Sequence, residues 1–414
     1  MKKIFLIFCF LLAFNVHVPA QEIRSKKVLF VILDGITPDN LERVATPNLD
    51  EISKVGGYAR AFTGGIPGTY TETPTISAVG YNSLLTGTWV NKHNVKGNSI
   101  RNPNYNYWTV FRIFREIKPA SKLAVFSTWL DNRTKLIGTG LPQTNYLQMD
   151  WSFDGFEKDT IAFPHDSLGR FILNIDNYVS YEAAHVIKTE GPDLSWVYLQ
   201  YTDDIGHRFG DGPETDLAIT YSDRQVGRLW EAIKYREKHH SEDWMILVTT
   251  DHGRSAQDGR EHGGQTERER GIWMVTNLKD LNPYFKSGKA SMVDIAPTIF
   301  RYLDLEVPAI HRYEWDGIPL IGQISFSQVT LGEEGSETLL KWEPYDSEGE
   351  VKIGFSESNK FRLSGEPDSI SWIDKIPVGW GKFKLPKELA EKERFKLVLE
   401  GEDNSGNVWK TGKE

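Results

Sequence analysis

Val28-Leu29-Phe30-Val31-Ile32-Leu33-Asp34-Gly35 is the stretch on which the reading of this chain turns. Its six apolar residues leave no polar face for water, so they predict a strand buried on both sides, as in the interior of a parallel sheet. Two further runs share this character, Trp196 to Tyr201 and Trp244 to Thr249, and each leads into aspartate-containing sequence. Helical signals lie between them. Thr46-Pro47 offers a hydroxyl N-cap followed by proline at the first helical position, and Gly56-Gly57 stops that helix. Leu217 to Tyr235 carries apolar residues at helical spacing with charges between them. Strands alternating with helices predict an α/β fold, a mainly parallel sheet flanked by helices. Ligands of such sheets bind at the carboxyl ends of the strands, where Asp34, Asp203 and Asp251 all fall.

These aspartates have histidine company. Asp203-Asp204-Ile205-Gly206-His207 follows the second strand, Asp251-His252-Gly253 follows the third, and His262-Gly263 comes shortly after. A lone aspartate behind a strand is usually a cap, and a lone histidine is usually a surface or core residue. Three of each at strand ends and in the loops beside them point instead to metal ligation. A mixed carboxylate and imidazole set suits zinc, whereas an all-oxygen set would suit calcium or magnesium. His239-His240, in a polar run ahead of a strand, reads as a solvated turn.

Between the first two clusters runs Pro74-Thr75-Ile76-Ser77-Ala78-Val79-Gly80-Tyr81-Asn82-Ser83-Leu84-Leu85-Thr86-Gly87. With the flanking clusters, this segment resembles the alkaline phosphatase superfamily, most closely its nucleotide pyrophosphatase/phosphodiesterase branch. Counting back ten residues from the glycine of the Ser-Leu-Leu-Thr-Gly segment places the family's nucleophile at Ser77, preceded by the branch's Pro-Thr-x as Pro74-Thr75-Ile76. His93-Asn94-Val95, the segment Ser291 to Leu303, and Asp316-Gly317-Ile318-Pro319-Leu320 resemble later family segments, so the likeness covers about residues 26 to 321.

The resemblance implies two divalent ions, taken as zinc. Asp34, Asp251 and His252 would hold one, with Ser77 as its reactive ligand, and Asp203, His207 and His262 would hold the other. It further implies a phosphate-ester hydrolase working through a phosphoseryl intermediate, either a phosphodiesterase or a nucleotide pyrophosphatase. A phosphomonoesterase or phosphonate hydrolase of the same superfamily is the alternative, and a metal-dependent binding protein without turnover is the reading from a different class. Thr75 and Thr73 are the substitutes for Ser77 should the register shift, and capping the following helix is the plainer role for Ser77. Asp204 falls outside the Asp-x-x-Gly-His spacing, and His93 either orients the site or caps a helix. At Gly80, where the resemblance leads one to expect an asparagine on the phosphoryl oxygen, Asn82, Asn98 or a backbone amide is left to donate. Tyr70, Tyr81, Trp89 and Trp129 are candidates for an aromatic wall around a second ester substituent. The sulfatase signature is missing, because Ser77-Ala78-Val79-Gly80-Tyr81 has neither its proline nor its arginine.

Outside this region the chain changes character. After about Ile321 short alternating segments appear, among them Leu339 to Trp342, Val351 to Phe355 and Phe395 to Leu399, with turns at Asp346 to Gly349 and Asn404 to Asn407. They predict an immunoglobulin- or fibronectin-III-like β-sandwich over residues 322–414, behind an α/β unit over 21–321. At the other end, Lys2-Lys3, an apolar run to about Val16 and Val18-Pro19-Ala20 read as a signal peptide over residues 1–20, implying a secreted or periplasmic protein. Cys9, the only cysteine, would leave with it, which excludes disulfides and a thiol nucleophile. The net charge of −9 argues against a broadly basic nucleic-acid surface, and no later run is long enough to span a bilayer. The expected partner is a phosphate ester, either a small molecule or a phosphorylated polymer.

Overall fold

The computed structural model describes residues 24–411, so the signal peptide and Cys9 lie outside the described residues. Seven strands form the main sheet: β1 (Ser25–Leu33), β2 (Gly57–Phe62), β3 (Leu123–Ser127), β4 (Trp151–Phe153), β5 (Leu194–Leu199), β6 (Glu242–Thr249) and β7 (Gly271–Thr276). Their order is β2-β7-β6-β1-β5-β3-β4. The five from β6 to β4 run parallel, while β7 and β2 add an antiparallel edge. β1, β5 and β6, the three runs read from sequence, lie side by side at the centre. Helices cover both faces: Phe30 and Ile32 of β1 pack into one apolar core, Leu29, Val31 and Leu33 into the other. A strand with a core on each side has no polar alternation to show, which is why its sequence is an unbroken apolar run.

The second strand ends earlier than its composition suggests. β5 stops at Leu199, and Tyr201 opens the helix Tyr201–Phe209. The buried Asp176 carboxylate causes this, accepting the backbone N–H groups of Gln200 (3.1 Å) and Tyr201 (2.8 Å) and the Thr128 hydroxyl (2.5 Å). Two orphan amides of a helix start are thereby satisfied from another element. The helix Pro47–Val55 begins after Thr46 and ends at Gly56 as expected, although the Thr46 side chain makes no capping bond. His239 ends the long helix Pro213–His239, and both it and His240 are exposed.

The last strands are β8 (Phe326–Glu334), β9 (Glu337–Pro344), β10 (Glu350–Ser356), β11 (Ser371–Pro377), β12 (Lys382–Lys384), β13 (Phe395–Glu400) and β14 (Ser405–Lys410). They form a four-stranded sheet, β11-β10-β13-β14, and a three-stranded one, β12-β9-β8, both antiparallel. Phe326 and Leu340 from one sheet and Ile353, Phe395 and Leu397 from the other share a fully buried core. The turn expected over Asn404 to Asn407 is instead mostly strand. The Asn404 side chain accepts from the Ser325 backbone (2.7 Å) and donates to Phe326 O (3.0 Å), and β14 starts at the next residue.

Buried charge joins these sheets to the α/β body. The Lys92 ammonium, 1% exposed, donates to Asp316 Oδ1 (2.6 Å), Glu314 O (2.7 Å) and Asn407 Oδ1 of β14 (2.9 Å). Lys396 of β13, fully buried, bonds Glu314 and Asp368. On the other side of Trp409, its backbone N–H donates to the Tyr70 hydroxyl (2.9 Å). Removing one member of a buried pair strands the other charge, so Lys92→Met should cost about 3–5 kcal/mol of stability, read by denaturant unfolding.

Candidate active site

The site forms where β1, β5 and β6 end. Ser77 is the first residue of the helix Ser77–Thr86; Ile76 holds the capping position, so the hydroxyl is not spent as a cap. Its Oγ lies 3.3 Å from His252 Nε2. The same nitrogen is 3.2 Å from Asp251 Oδ2 and 3.4 Å from Asp34 Oδ1. The other ring nitrogen of His252 contacts the Gly253 carbonyl at 2.9 Å. A carbonyl only accepts, so Nδ1 carries the proton and the Nε2 lone pair faces two carboxylate oxygens and a hydroxyl. Those two oxygens, Asp34 Oδ1 and Asp251 Oδ2, are buried and have no hydrogen-bond partner among the described residues.

The second half repeats this arrangement. His262 Nδ1 donates to Thr75 O (2.8 Å), leaving Nε2 turned towards His207 Nε2 at 3.1 Å. Asp203 Oδ2 is 3.4 Å from His207 Nε2, and Asp203 Oδ1 is 3.9 Å from His262 Nε2. Asp203 and His207 stand one turn apart on the helix Tyr201–Phe209, hence on one face. Potential ligand atoms converge in two groups, one from Asp203, His207 and His262 and the other from Asp34, Asp203 and His252. Asp251 adjoins the second group through His252, while its Oδ1 accepts the Gly35 N–H (3.1 Å).

The electrostatics ask for positive charge. Burial, then the charges of Asp251 and Asp203, pushes the Asp34 carboxyl well above the usual range, against hydroxyl donation from Tyr198 (2.6 Å) and Tyr81. Burial and Asp203 push Asp251 up to about 7. Burial opposes ionisation of Asp203 too, but the Arg254 guanidinium and His207 hold its carboxyl well below the usual range. Burial and then His262 press the His252 ring towards neutrality. Lone pairs facing lone pairs, orphaned carboxylate oxygens and histidines anchored through Nδ1 to carbonyls form the donor set of a cation site. The residues present therefore fit metal ions.

Several supporting residues carry no sequence signature. Arg254, fully buried, donates to Gly35 O (2.8 Å), Arg260 O (3.0 Å) and Asp203 O (3.0 Å), and pairs with the Asp203 carboxylate. A Cβ on Gly206 would come within 2.2 Å of its guanidinium carbon, and one on Gly35 within 2.5 Å of Nη2. Both glycines thus make room for Arg254. The Thr75 hydroxyl is engaged with Gly263 N and Gly264 O, and that of Thr73 with Thr71 O. His93 is outside the site: it is buried beneath the helix, 3.1 Å from Ser83 Oγ, and burial lowers its pKa to about 3.

Gly80 packs closely on Asp251: a Cβ there would sit 3.0 Å from Asp251 O, so a larger residue would require Asp251 to shift by a few tenths of an ångström. Asn82 is 3% exposed, whereas Asn98 lines the Ser77 cavity and accepts the Ala78 N–H at 3.0 Å through Oδ1. That bond leaves the Asn98 Nδ2 group as the donor. The cavity, about 390 Å³, is walled by Trp129, Phe171 and Ile172 as well as by Tyr81 and Tyr198. Of the four aromatic candidates, Tyr70 and Trp89 line a different cavity, Tyr81 is fully buried on Asp34, and Trp129 remains.

Residues 28–280 match the family model for type I phosphodiesterase / nucleotide pyrophosphatase. Among curated relatives, human ectonucleotide pyrophosphatase/phosphodiesterase family member 7 is 26% identical over 255 residues, which is 60% of this chain and 53% of that protein. Venom phosphodiesterase CdcPDE of Crotalus durissus collilineatus is 23% identical over 252 residues, covering 57% of this chain and 27% of its own length. The chain thus spans about half the length of the first of these relatives. Two solved structures share the fold: Ps i-CgsB in complex with a neocarrahexaose (TM-score 0.50, 14% identity, 78% of this chain and 84% of that one) and a 2-O GAG sulfatase (TM-score 0.50, 12% identity, 77% and 81%). The family match runs from Val28, within β1, to beyond β7, taking in most of β1, the other six strands of the main sheet and every residue of the two ligand groups. On that ground the chain belongs to the type I phosphodiesterase/nucleotide pyrophosphatase family.

Proposed function

We propose that this chain is a metal-dependent hydrolase of phosphate esters, a phosphodiesterase or nucleotide pyrophosphatase, with Ser77 as nucleophile. The observation that carries the reading is the convergence of Ser77 Oγ, the His252 Nε2 lone pair and two orphaned aspartate oxygens on one point. Asp34, Asp251 and His252, with Ser77, would hold one divalent ion, and Asp203, His207 and His262 the other, zinc being the metal this donor mixture favours. Two such ions, when bound, would lower the pKa of the serine hydroxyl and offset charge on the attacking and leaving oxygens.

Ser77 Oγ, its proton given up to solvent, attacks phosphorus; the Oγ–P bond forms as the bond to the leaving ester oxygen breaks, and that oxygen takes a proton from water. A second water then cleaves the Oγ–P bond of the seryl intermediate, which for a diester still carries the other substituent. The N-terminus of the helix Ser77–Thr86 favours the anionic phosphoryl group, to which Asn98 Nδ2 donates. Trp129, Phe171 and Ile172 accept the second ester substituent, which favours a diester over a monoester. The same reading divides the chain into a catalytic unit through Ile321 and a β-sandwich from Gly322, and sends it to a secreted or periplasmic location. Among the described residues no helix is long and apolar enough to cross a membrane.

The test is hydrolysis of nitrophenyl phosphate mono- and diesters with zinc. Diester turnover exceeding monoester turnover is expected; the reverse preference would move the chain to the phosphomonoesterase alternative, and no turnover to the binding-protein reading. Exhaustive chelation should abolish turnover and lower the melting temperature, and zinc should restore both. Activity that survives chelation would remove metals from the mechanism.

A further inference from the structure

A second, larger cavity of about 740 Å³ lies between the α/β body and the C-terminal sheets, away from the metal-ligand groups. Its charge is opposite to that of the chain as a whole. The protein carries a net −9, yet Lys96, Arg362 and Arg394 face this cavity with only Glu393 against them. Lys92, which also lines it, is already neutralised by Asp316. Lys96, Arg362 and Arg394 have no ion-pair partner among the described residues, although most other cations around the fold do. Arg394 does approach the Trp409 ring, 5.5 Å from its centroid.

The two arginines are carried on fixed supports. Arg362 sits in the short helix Lys360–Ser364, whose Arg362 carbonyl accepts from Asn104 Nδ2 (2.9 Å) and Asn106 Nδ2 (3.1 Å) of the α/β body. Arg394 directly precedes β13. Uncharged hydrogen-bonding groups fill the space between the cations. Asn359 precedes the short helix without capping it, so its carboxamide stays available, and Asn91, Asn94 and Thr411 add further polar groups. Three cations spaced by amides and a hydroxyl, with Trp409 on the wall, suit a molecule with several hydroxyls and more than one negative group. A lone inorganic anion would leave most of the cavity unfilled.

We propose that this cavity binds an acidic oligosaccharide, recognised through sulfate, phosphate or carboxylate groups by Lys96, Arg362 and Arg394 and through hydroxyls by the neighbouring amides. The site joins the loop that carries Lys96 to the C-terminal region, which supplies Arg362, Arg394 and Trp409. It does not depend on the proposed hydrolytic activity.

The experiment is calorimetric titration of the full chain with sucrose octasulfate, with sucrose and sodium sulfate as controls. Saturable binding of the octasulfate alone is expected. Arg362→Glu/Arg394→Glu should weaken it by about tenfold or more per reversed arginine. Lys96→Glu, on the other side of the cavity, provides an independent variant should the double one fold poorly. Nitrophenyl ester hydrolysis, measured on the same samples, should be unchanged, so failure of the saccharide site and failure of the catalytic reading are separate results. No saturable binding, binding unaffected by either variant, or equal binding of sodium sulfate would each overturn the proposal.

Discussion

Ser77→Ala is expected to lower kcat by about 10³-fold or more while leaving the fold close to that of the parent and zinc still bound through Asp34, Asp251 and His252. The hydroxyl, the proposed nucleophile, makes no capping bond to its own helix. The imidazole and the carboxylates keep their anchors without it: His252 through Gly253 O, Asp34 through Tyr198 and Tyr81, Asp251 through Gly35 N. Steady-state hydrolysis and a zinc titration on the same preparation check both halves. Full turnover in the alanine variant would transfer the nucleophile elsewhere, and Thr75 is poorly placed to inherit the role, because its hydroxyl is held between Gly263 N and Gly264 O.

Asp203→Ala should be costly in both activity and stability, and Asp204→Ala in neither to the same degree. Asp203 belongs to both groups of converging ligand atoms, so its loss would remove a ligand of the second proposed ion and a carboxylate beside the first. It also compensates Arg254, whose side chain is wholly buried, and stranding that guanidinium should cost about 3–5 kcal/mol. Asp204 has a carboxyl pushed up to about 6, chiefly by burial and then by Asp203, and its recorded bond is one from Gln200 Nε2 at 3.2 Å. Thermal unfolding with and without zinc, alongside hydrolysis, separates the two aspartates. A larger loss from Asp204 would mean that the ligand register is shifted by one.

The central strands were legible because burial on both faces leaves a plain mark, an unbroken apolar run. The aspartates and histidines were legible because they follow those runs at short range. What stayed hidden acts across the chain. Arg254 reads as one more charged residue, and arginine is almost never fully buried unless paired. Only the approach of Gly35 and Gly206 to its guanidinium, visible in three dimensions, explains its place. Tyr198 looks like part of an apolar strand, and its hydroxyl bond to Asp34 depends on which face of β5 it occupies. Asn98 was one of three candidate donors, and the choice among them rests on its bond from the Ala78 amide twenty residues earlier. Composition could not show how closely Gly80 approaches Asp251.

The contacts of β14 set a limit on how such a protein can be rearranged. Asn407 holds Lys92 on one side, and the Trp409 backbone holds Tyr70 on the other. These two anchor points bracket the segment that contains Ser77. A C-terminal unit fastened at both margins of this segment is not a free attachment: exchanging it would take the Asn407 acceptor from Lys92, which Asp316 still neutralises, and the Trp409 donor from Tyr70. The C-terminal strands are thus part of what holds the segment carrying Ser77 in place.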